Sequence, residues 1–546
     1  MRACSWAGTV TVRGPPSAAS AVGPESAAER PIPAWTKRRR VSRDSLAGMS
    51  GHSLPFRRPG AGTFEQSSRL RGSVSSPLAG YIQEVRFAML LLLSTAVVWT
   101  AGPPASFVRV SPRDARYLEL DDGRPYIPIG LNMISPPRAA ADEEEALRGM
   151  EDWLRRLSSN GGNFIRVWLS YPFWDVEHSR SGVYDAEKAR RIDRLLEMCR
   201  RHGIRVKLTM EHFRSVGEVR GSWSDKPLHH VSSGGPARSI ADFFDGETAR
   251  EQFRGKIRWY AKRYGAQPVI FGWELWNEIN AVRGGDYMAW TEAMLPELHK
   301  AFPGNLAMQS LGSFDRAQSR DVYRRHSTMP GNDLAQVHRY LDLGAELEVC
   351  HGPVDVLAAD AIRELAGWRP RRPIVLAESG AVEPKHSGPF RLYAADREGV
   401  ILHDVLFAPF FAGAAGPGQI WHWDAYVAAN DLWWHFSRFA EVVKDLDPPA
   451  EGFEPYMLPH ERLRVYALKG GRTLLAWCRD GRNSWEAELN NGEPPETIRG
   501  AVLKLDGVRK VRFYDPWKAE WSEGQLRRGS VTLPAFKRSL VLKAER

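Results

Sequence analysis

Residues 269–278 read Val-Ile-Phe-Gly-Trp-Glu-Leu-Trp-Asn-Glu, an almost unbroken apolar run that ends in Asn277 and Glu278. A short run of branched and aromatic residues with so few polar breaks reads as a strand buried on both faces. Seven other stretches share this texture: 126–132 (YIPIGLN), 163–169 (NFIRVWL), 204–210 (IRVKLTM), 306–311 (LAMQSL), 334–340 (LAQVHRY), 373–378 (PIVLAE) and 419–423 (QIWHW). Amphipathic segments alternate with them, at about 142–160, 185–202, 248–264, 286–301, 354–367, 395–412 and 430–446, with a weaker one around 315–326. In 185–202, Ile192, Leu195, Leu196 and Cys199 form one apolar stripe at helical spacing, and Gly203 supplies the stop. Eight such units predict an α/β fold of the (β/α)8 TIM-barrel type over residues 107–447. A doubly wound sheet is the alternative, but no Gly-rich phosphate loop follows an early strand. Residues 107–125 read as a hairpin closing the bottom of the barrel. Beyond Pro448-Pro449 the period changes to alternation (RLRVYALK, TLLAWCRD, VRKVRFYDP), which predicts a small C-terminal antiparallel β-sandwich over 455–546.

Charge and cysteine content exclude several classes of function. The chain carries a net charge of +10, but residues 1–88 alone hold 13 Lys and Arg against 5 Asp and Glu. That tail accounts for +8, so the other 458 residues carry only +2 and give nucleic acid no electrostatic footprint. Cys4, Cys199, Cys350 and Cys478 are scattered without metal spacing, and no metal or cofactor is expected. Residues 1–84, rich in Pro, Ser, Gly, Ala and Arg, are expected to be disordered or to precede the true translation start near Val85 or Met89. Arg86, the 13-residue apolar run from Phe87 to Trp99 and the small residues after it have the form of a secretory signal peptide over 85–105. A secreted or cell-envelope location follows from it. No apolar run reaches the roughly 18 residues of a membrane-spanning helix, so no span is expected in the mature protein.

In a barrel of this type the chemistry sits where the strands end. The fourth strand delivers Glu274, Asn277 and Glu278; the seventh delivers Glu378. Strand two brings Arg166, strand three Glu211 and His212, strand six His338 and Tyr340, and strand eight Trp421 and Trp423. A buried carboxylate is costly unless it is paired or used. Two of them across a sugar site are what glycoside hydrolysis needs, one to donate a proton and one to attack the anomeric carbon. Aromatic faces would supply apolar area for sugar rings.

Trp276-Asn277-Glu278 with Glu378 resembles the cellulase-like glycoside hydrolases of family 5, in the clan of retaining (β/α)8 glycosidases. The resemblance implies Glu278 as acid/base and Glu378 as nucleophile, and assigns Asn277 to the sugar 2-hydroxyl. It further implies that Arg166, His338 and Tyr340 orient the nucleophile and contact the sugar, that His212 lines the site, and that Trp421 is a platform under the reacting sugar. Strand eight departs from the pattern in offering a second platform, Trp423.

The long segment 213–247 reads as a wall of the cleft, with Trp223, His229, His230, Phe243 and Phe244 as candidates, and Trp174 and Asp175 as weaker ones. Trp273 and Trp276 read as core, and Glu211 and Glu274 as support for the site or as partners of surface Arg residues. The expected activity is retaining hydrolysis of a β-linked mannan- or glucan-type oligo- or polysaccharide. A catalytically silent carbohydrate-binding barrel and a transglycosylase with the same residues are the rivals.

Overall fold

The computed structural model describes residues 104–212, 228–282 and 284–546; the signal-like segment 85–105 lies outside it except for its last two residues, and so does Trp223. The apolar runs form parallel strands, and their register positions the site. β4 (Gly130–Asn132), β5 (Phe164–Trp168), β6 (Arg205–Glu211), β7 (Ile270–Trp276) and β8 (Leu306–Met308) make one continuous sheet; they follow a three-stranded antiparallel meander of β1 (Val108–Val110), β2 (Leu118–Leu120) and β3 (Pro125–Tyr126). β9 (Ala335–His338) and β10 (Ile374–Glu378) pair in parallel as a second piece. Asn132 lies opposite Arg166, which lies opposite Lys207, and Thr209 lies opposite Glu274. Hence four adjacent strands bring polar side chains to neighbouring levels of the barrel interior.

Side chains and single bridges close the barrel where ladders stop. Between β8 and β9, Asp333 accepts the Ala307 N–H through Oδ2 (2.7 Å) and Gln336 donates to the Gln309 carbonyl (2.9 Å). The eighth strand, expected over 419–423, is reduced to one bridge between Ser379 and Ile420. The Asn132 N–H then donates to the Ile420 carbonyl at 3.1 Å and joins the last unit to the first. The chain leaves the barrel directly after Ile420 into a π-helical turn, Trp423–Ala428. At the other end, Val108, Leu118, Leu120 and Tyr126 of the meander pack with Phe164, Phe271, Leu306 and Val375, filling the barrel bottom.

Helices cover the barrel as their stripes require. In α1 (Glu143–Ser159), Ala146, Leu147, Met150, Leu154 and Leu157 face inward, while Asp142 caps the first turn by accepting the Glu145 N–H (2.8 Å). α2 (Ala186–Arg201) buries Ile192, Leu195, Leu196 and Cys199 as its spacing predicts. The longer helices that follow are α3 (Ile240–Asp245), α4 (Glu247–Tyr264), α5 (Tyr287–Ala301), α6 (Ser319–Ser327), α7 (Val354–Gly367), α8 (Val400–Phe411) and α9 (Trp434–Val443). The weak segment at 315–326 is therefore a true nine-residue helix, α6.

Every residue of α8 is buried. A helix apolar all round needs cover on all sides, and the C-terminal sheet supplies the outer one. That sheet runs antiparallel in the order Glu454–Leu458, Leu463–Lys469, Thr473–Asp480, Ser539–Glu545, Lys510–Asp515, Glu520–Gly524. Its alternation separates two cores. Val465, Ala467, Ala476 and Leu542 pack against the smaller strands of the domain, whereas Tyr466, Leu468, Trp477 and Val541 join the barrel core beside Phe407 and Phe411. Two ion pairs mark the junction: the buried pair Arg479 with Asp404 (Nε to Oδ1, 2.8 Å) and the part-buried pair Arg464 with Asp355 (Nε to Oδ2, 2.6 Å). Breaking one partner out of a buried pair costs about 3–5 kcal/mol. Asp404→Ala is therefore expected to lower the unfolding free energy by about that amount in urea titration; a loss below about 1 kcal/mol would mean that the junction does not depend on this pair.

Candidate active site

Arg166 of β5 is fully buried at the centre of the barrel floor. Its Nε and Nη2 donate to Glu274 Oε2 at 2.8 and 2.6 Å, Nη2 also to Asn277 Oδ1 at 2.6 Å, and Nη1 to Asn132 Oδ1 at 3.2 Å. Nη1 also donates to Glu378 Oε1. Burial works against the guanidinium charge, but Glu274 and Glu378 outweigh it and strengthen its hold on the proton. Glu274 in turn accepts from Thr209 Oγ1 (2.5 Å) and Gln336 Nε2 (3.2 Å). Burial alone would raise the pKa of Glu274, yet Arg166 and Lys207 hold it well below the carboxylate range.

Above this floor stand the two strand-end glutamates. One carboxylate oxygen of Glu278 and one of Glu378 lie within 4.8 Å of each other, and a His338 nitrogen lies within the same distance of both. His338 Nδ1 is 2.8 Å from Glu278 Oε1 and 3.4 Å from Glu378 Oε2. Burial, reinforced by Arg166, keeps this imidazole neutral by lowering its pKa well below the usual value. The Tyr340 hydroxyl donates to Glu378 Oε2 at 2.7 Å. Burial raises the pKa of Glu378, with Arg166 and Tyr340 opposing it. Glu278 is raised well above the ordinary range, first by burial and then by the negative charge of Glu378. Its side chain is 16% exposed against 4% for Glu378, so the more proton-retentive carboxyl is also the more open one. Glu278 adopts the left-handed conformation (φ 50°, ψ 52°), a strain of about 1–3 kcal/mol for a residue with a side chain. The Ser310 hydroxyl, accepting the Glu278 N–H at 3.2 Å, helps to hold it. After β10, Gly380 at φ +129° turns the chain beside Tyr393, whose hydroxyl would lie 2.7 Å from a Cβ.

The glutamates open into a cleft of about 670 Å³ whose lining includes Trp168, Asn277, Tyr340, Trp421 and Trp423. Both strand-eight tryptophans reach it because the π-helical turn begins at Trp423; their rings sit 5.9 Å apart at 82°. Trp421 packs on Trp168 (5.0 Å). Arg166 and His338 lie beneath the carboxylates and do not line the cleft. His212 stacks behind Trp168 (5.1 Å) with Nδ1 2.5 Å from Ser170 Oγ, and burial brings its pKa down to about 4. Several wall candidates are core instead. Phe243 and Phe244 pack on Trp276 and Trp290, His229 bonds Ser181, Trp174 donates to the Ile134 carbonyl, and His230 and Asp175 are buried. Trp273 and Trp276 are core, as read.

Sequence reasoning missed Trp168, although it lies two residues from Arg166 on one strand and so shares its face. It also missed His386, which lines the cleft, meets the Tyr340 ring edge-on at 4.9 Å and stands 3.2 Å from Ser313 Oγ. His386 and Lys385 both have positive φ (57° and 62°), a loop conformation that no local signal announces.

Among the described residues, two groups could hold a metal ion: Glu278, His338 and Glu378, and a second set of Glu177, Glu211 and His229 behind β6. In the second, the Lys256 ammonium already lies 3.0 Å from Glu177 and 2.5 Å from Glu211, where a cation would sit.

The family model described as Cellulase (glycosyl hydrolase family 5) matches residues 138–394, which include every residue of the floor except Asn132. The chain is 27% identical over 217 residues to Mannan endo-1,4-beta-mannosidase 4 of Oryza sativa subsp. japonica, covering 37% of this chain and 45% of that protein. With Mannan endo-1,4-beta-mannosidase 3 of the same plant it shares 26% over 331 residues, covering 55% and 66%. The chain thus spans between about half and two-thirds of the length of these relatives. A solved structure described as a glycoside hydrolase shares the fold, with a TM-score of 0.50 at 14% identity over 83% of this chain and 98% of that one.

If the charge of Glu378 keeps the proton on Glu278, Glu378→Gln should let Glu278 ionise at lower pH. Carboxyl 13C NMR of glutamate-labelled protein reads this directly; an unchanged Glu278 midpoint would sever the link between the two groups.

Proposed function

The barrel of this chain belongs to glycosyl hydrolase family 5, and on that premise we propose that the protein is a retaining β-glycosidase whose substrate is a β-mannan. The observation that carries the mechanism is the closeness of the Glu278 and Glu378 carboxylates, within 4.8 Å at their nearest oxygens. Retaining enzymes set their carboxyls about 5–5.5 Å apart, whereas inverting ones leave about 6.5–9.5 Å for a water. The mannan reading is supported by the names of the curated relatives, both mannan endo-1,4-beta-mannosidases.

In this reading Glu378 attacks the anomeric carbon while Glu278 gives its proton to the departing oxygen, leaving a covalent glycosyl-enzyme. The ester no longer carries the Glu378 charge, so Glu278 loses its main electrostatic reason to hold a proton. It then takes one from water, which attacks the same carbon and releases Glu378. Asn277 is oriented for the sugar: Arg166 occupies its Oδ1, so the Nδ2 amide is the end left to donate to the 2-hydroxyl. Trp168, Trp421 and Trp423 supply apolar faces to the rings. Segment 85–105 would export the enzyme to its polymeric substrate.

Product release from β-mannans, β-glucans, xylans and aryl β-glycosides tests the proposal. Mannan should be hydrolysed, and Glu378→Ala should abolish turnover of every substrate. Glu278→Ala should lose mannan hydrolysis but keep the first step on aryl glycosides, because a good leaving group needs no proton. Equal loss on both substrate types would overturn the role of Glu278, and glycan binding without turnover would favour a binding protein.

A further inference from the structure

Resting on the proposed role of Glu378 as nucleophile, we propose that Glu274 is a positioning residue: it holds the Arg166 guanidinium so that only one arm reaches Glu378, and Lys207 is its counterweight. Glu274 is fully buried and does not line the cleft, so it cannot touch substrate. Its Oε2 takes both Nε and Nη2 of Arg166, at 2.8 and 2.6 Å. The remaining nitrogen, Nη1, is shared between Glu378 and Asn132. Without Glu274 the guanidinium would be free to turn its paired donors onto the nearest other carboxylate, that of Glu378. A carboxylate held by both arms of an arginine is a weaker base and a weaker nucleophile.

Lys207 of β6 opposes this arrangement from below. Its Nζ lies 3.6 Å from Glu274 Oε1 and donates to Gln336 Oε1 at 2.5 Å, while Gln336 Nε2 donates to the same Glu274 oxygen at 3.2 Å. The lysine thus draws charge from the Glu274 oxygen that Arg166 does not use. Burial brings its pKa down to about 7, with Glu274 pulling it back up. The charged and titratable groups facing Glu378 are Arg166 from β5, Lys207 from β6, Glu274 and Glu278 from the β7 unit, Tyr323 from α6, and His338 and Tyr340 from the β9 unit. His326 of α6 also faces Glu274; burial holds it near 4 and so neutral. Across the acidic limb, below the Lys207 midpoint, Arg166, Lys207 and Glu274 are therefore the charges that set how readily Glu378 ionises.

The two buried charges have opposite signs, so their removal should move the acidic limb of the pH profile in opposite directions. The readout is kcat/KM against pH on an aryl β-mannoside with a good leaving group, in which the nucleophile alone limits the first step. Glu274→Gln should move the acidic limb down by about one pH unit and lower kcat/KM about tenfold or more. Lys207→Met, which keeps the length of the side chain, should move it up. Glu274→Asp, which keeps the charge, should leave the limb near its wild-type position. A Glu274 that merely fills space would give slower variants with unmoved limbs. Unmoved limbs, or shifts of the same sign in Glu274→Gln and Lys207→Met, overturn the proposal. If Glu274→Gln does not fold, the upward shift in Lys207→Met decides alone, and its absence is equally fatal. Glu378→Ala separates the two readings. A dead variant with unmoved limbs elsewhere overturns only the role of Glu274, whereas an active one overturns the nucleophile and this inference together.

Discussion

A guanidinium fully buried inside a barrel is the constraint around which the floor of this protein is organised. Moving an isolated charge into an apolar interior costs far more than the whole stability of a domain, so Arg166 exists there only because its neighbours satisfy it. Asn132, Thr209, Glu274, Asn277 and Glu378 each give it an oxygen, and they come from four different strand units. Because parallel strands are staggered by a fixed register, those oxygens meet only if every strand pairs as it does. The same contacts that neutralise the arginine also aim Asn277 and Glu378 at the cleft. Stability and site geometry are thus one set of bonds.

The rest of the molecule keeps that floor rigid while leaving the rim irregular. Behind β6, Glu177 and Glu211 share the Lys256 ammonium, and burial with the Glu177 charge pushes Glu211 up to about 7. The Glu211 carbonyl accepts the Asn277 N–H at 2.8 Å, so this cluster anchors the backbone that carries Asn277 and Glu278. On the far side, α8 lies between the barrel and the C-terminal sheet, held by Trp477, the Arg479–Asp404 pair and a His403–Ser539 bond of 2.7 Å. One face of that sheet serves the barrel core and the other its own. The domain is therefore welded to the helix that leads into the eighth strand, whose single bridge would otherwise be the weakest seam.

Much of this was legible from residue order alone. The β7 run ending in Asn277-Glu278 and the β10 run ending in Glu378 are strands that deliver acids to one cleft, and period-two alternation after Pro448-Pro449 marks the sheet domain. The errors lie where distant segments decide the outcome. Phe243 and Phe244 look like wall residues in a long connection, but they are drawn inward by Trp276 and Trp290, which belong to other units. His386 gave no local sign because its left-handed backbone is held from outside: the Asp342 side chain accepts the Lys385 N–H at 3.0 Å. Arg166 and His338 were expected against the sugar, yet the depth of the floor places them behind the carboxylates.

The sequence by itself determined which segments are strands, which faces are apolar and which strand ends carry acids, because hydrophobic period and residue type are local properties of the chain. Only the tertiary structure decided that Glu274 and Glu378 share one arginine, that Trp168 joins both strand-eight tryptophans at the cleft, and that the eighth strand survives as a single bridge. Those outcomes depend on register across strands and on the closing of a ring, where the partners of Arg166 stand from 34 to 212 positions away along the chain.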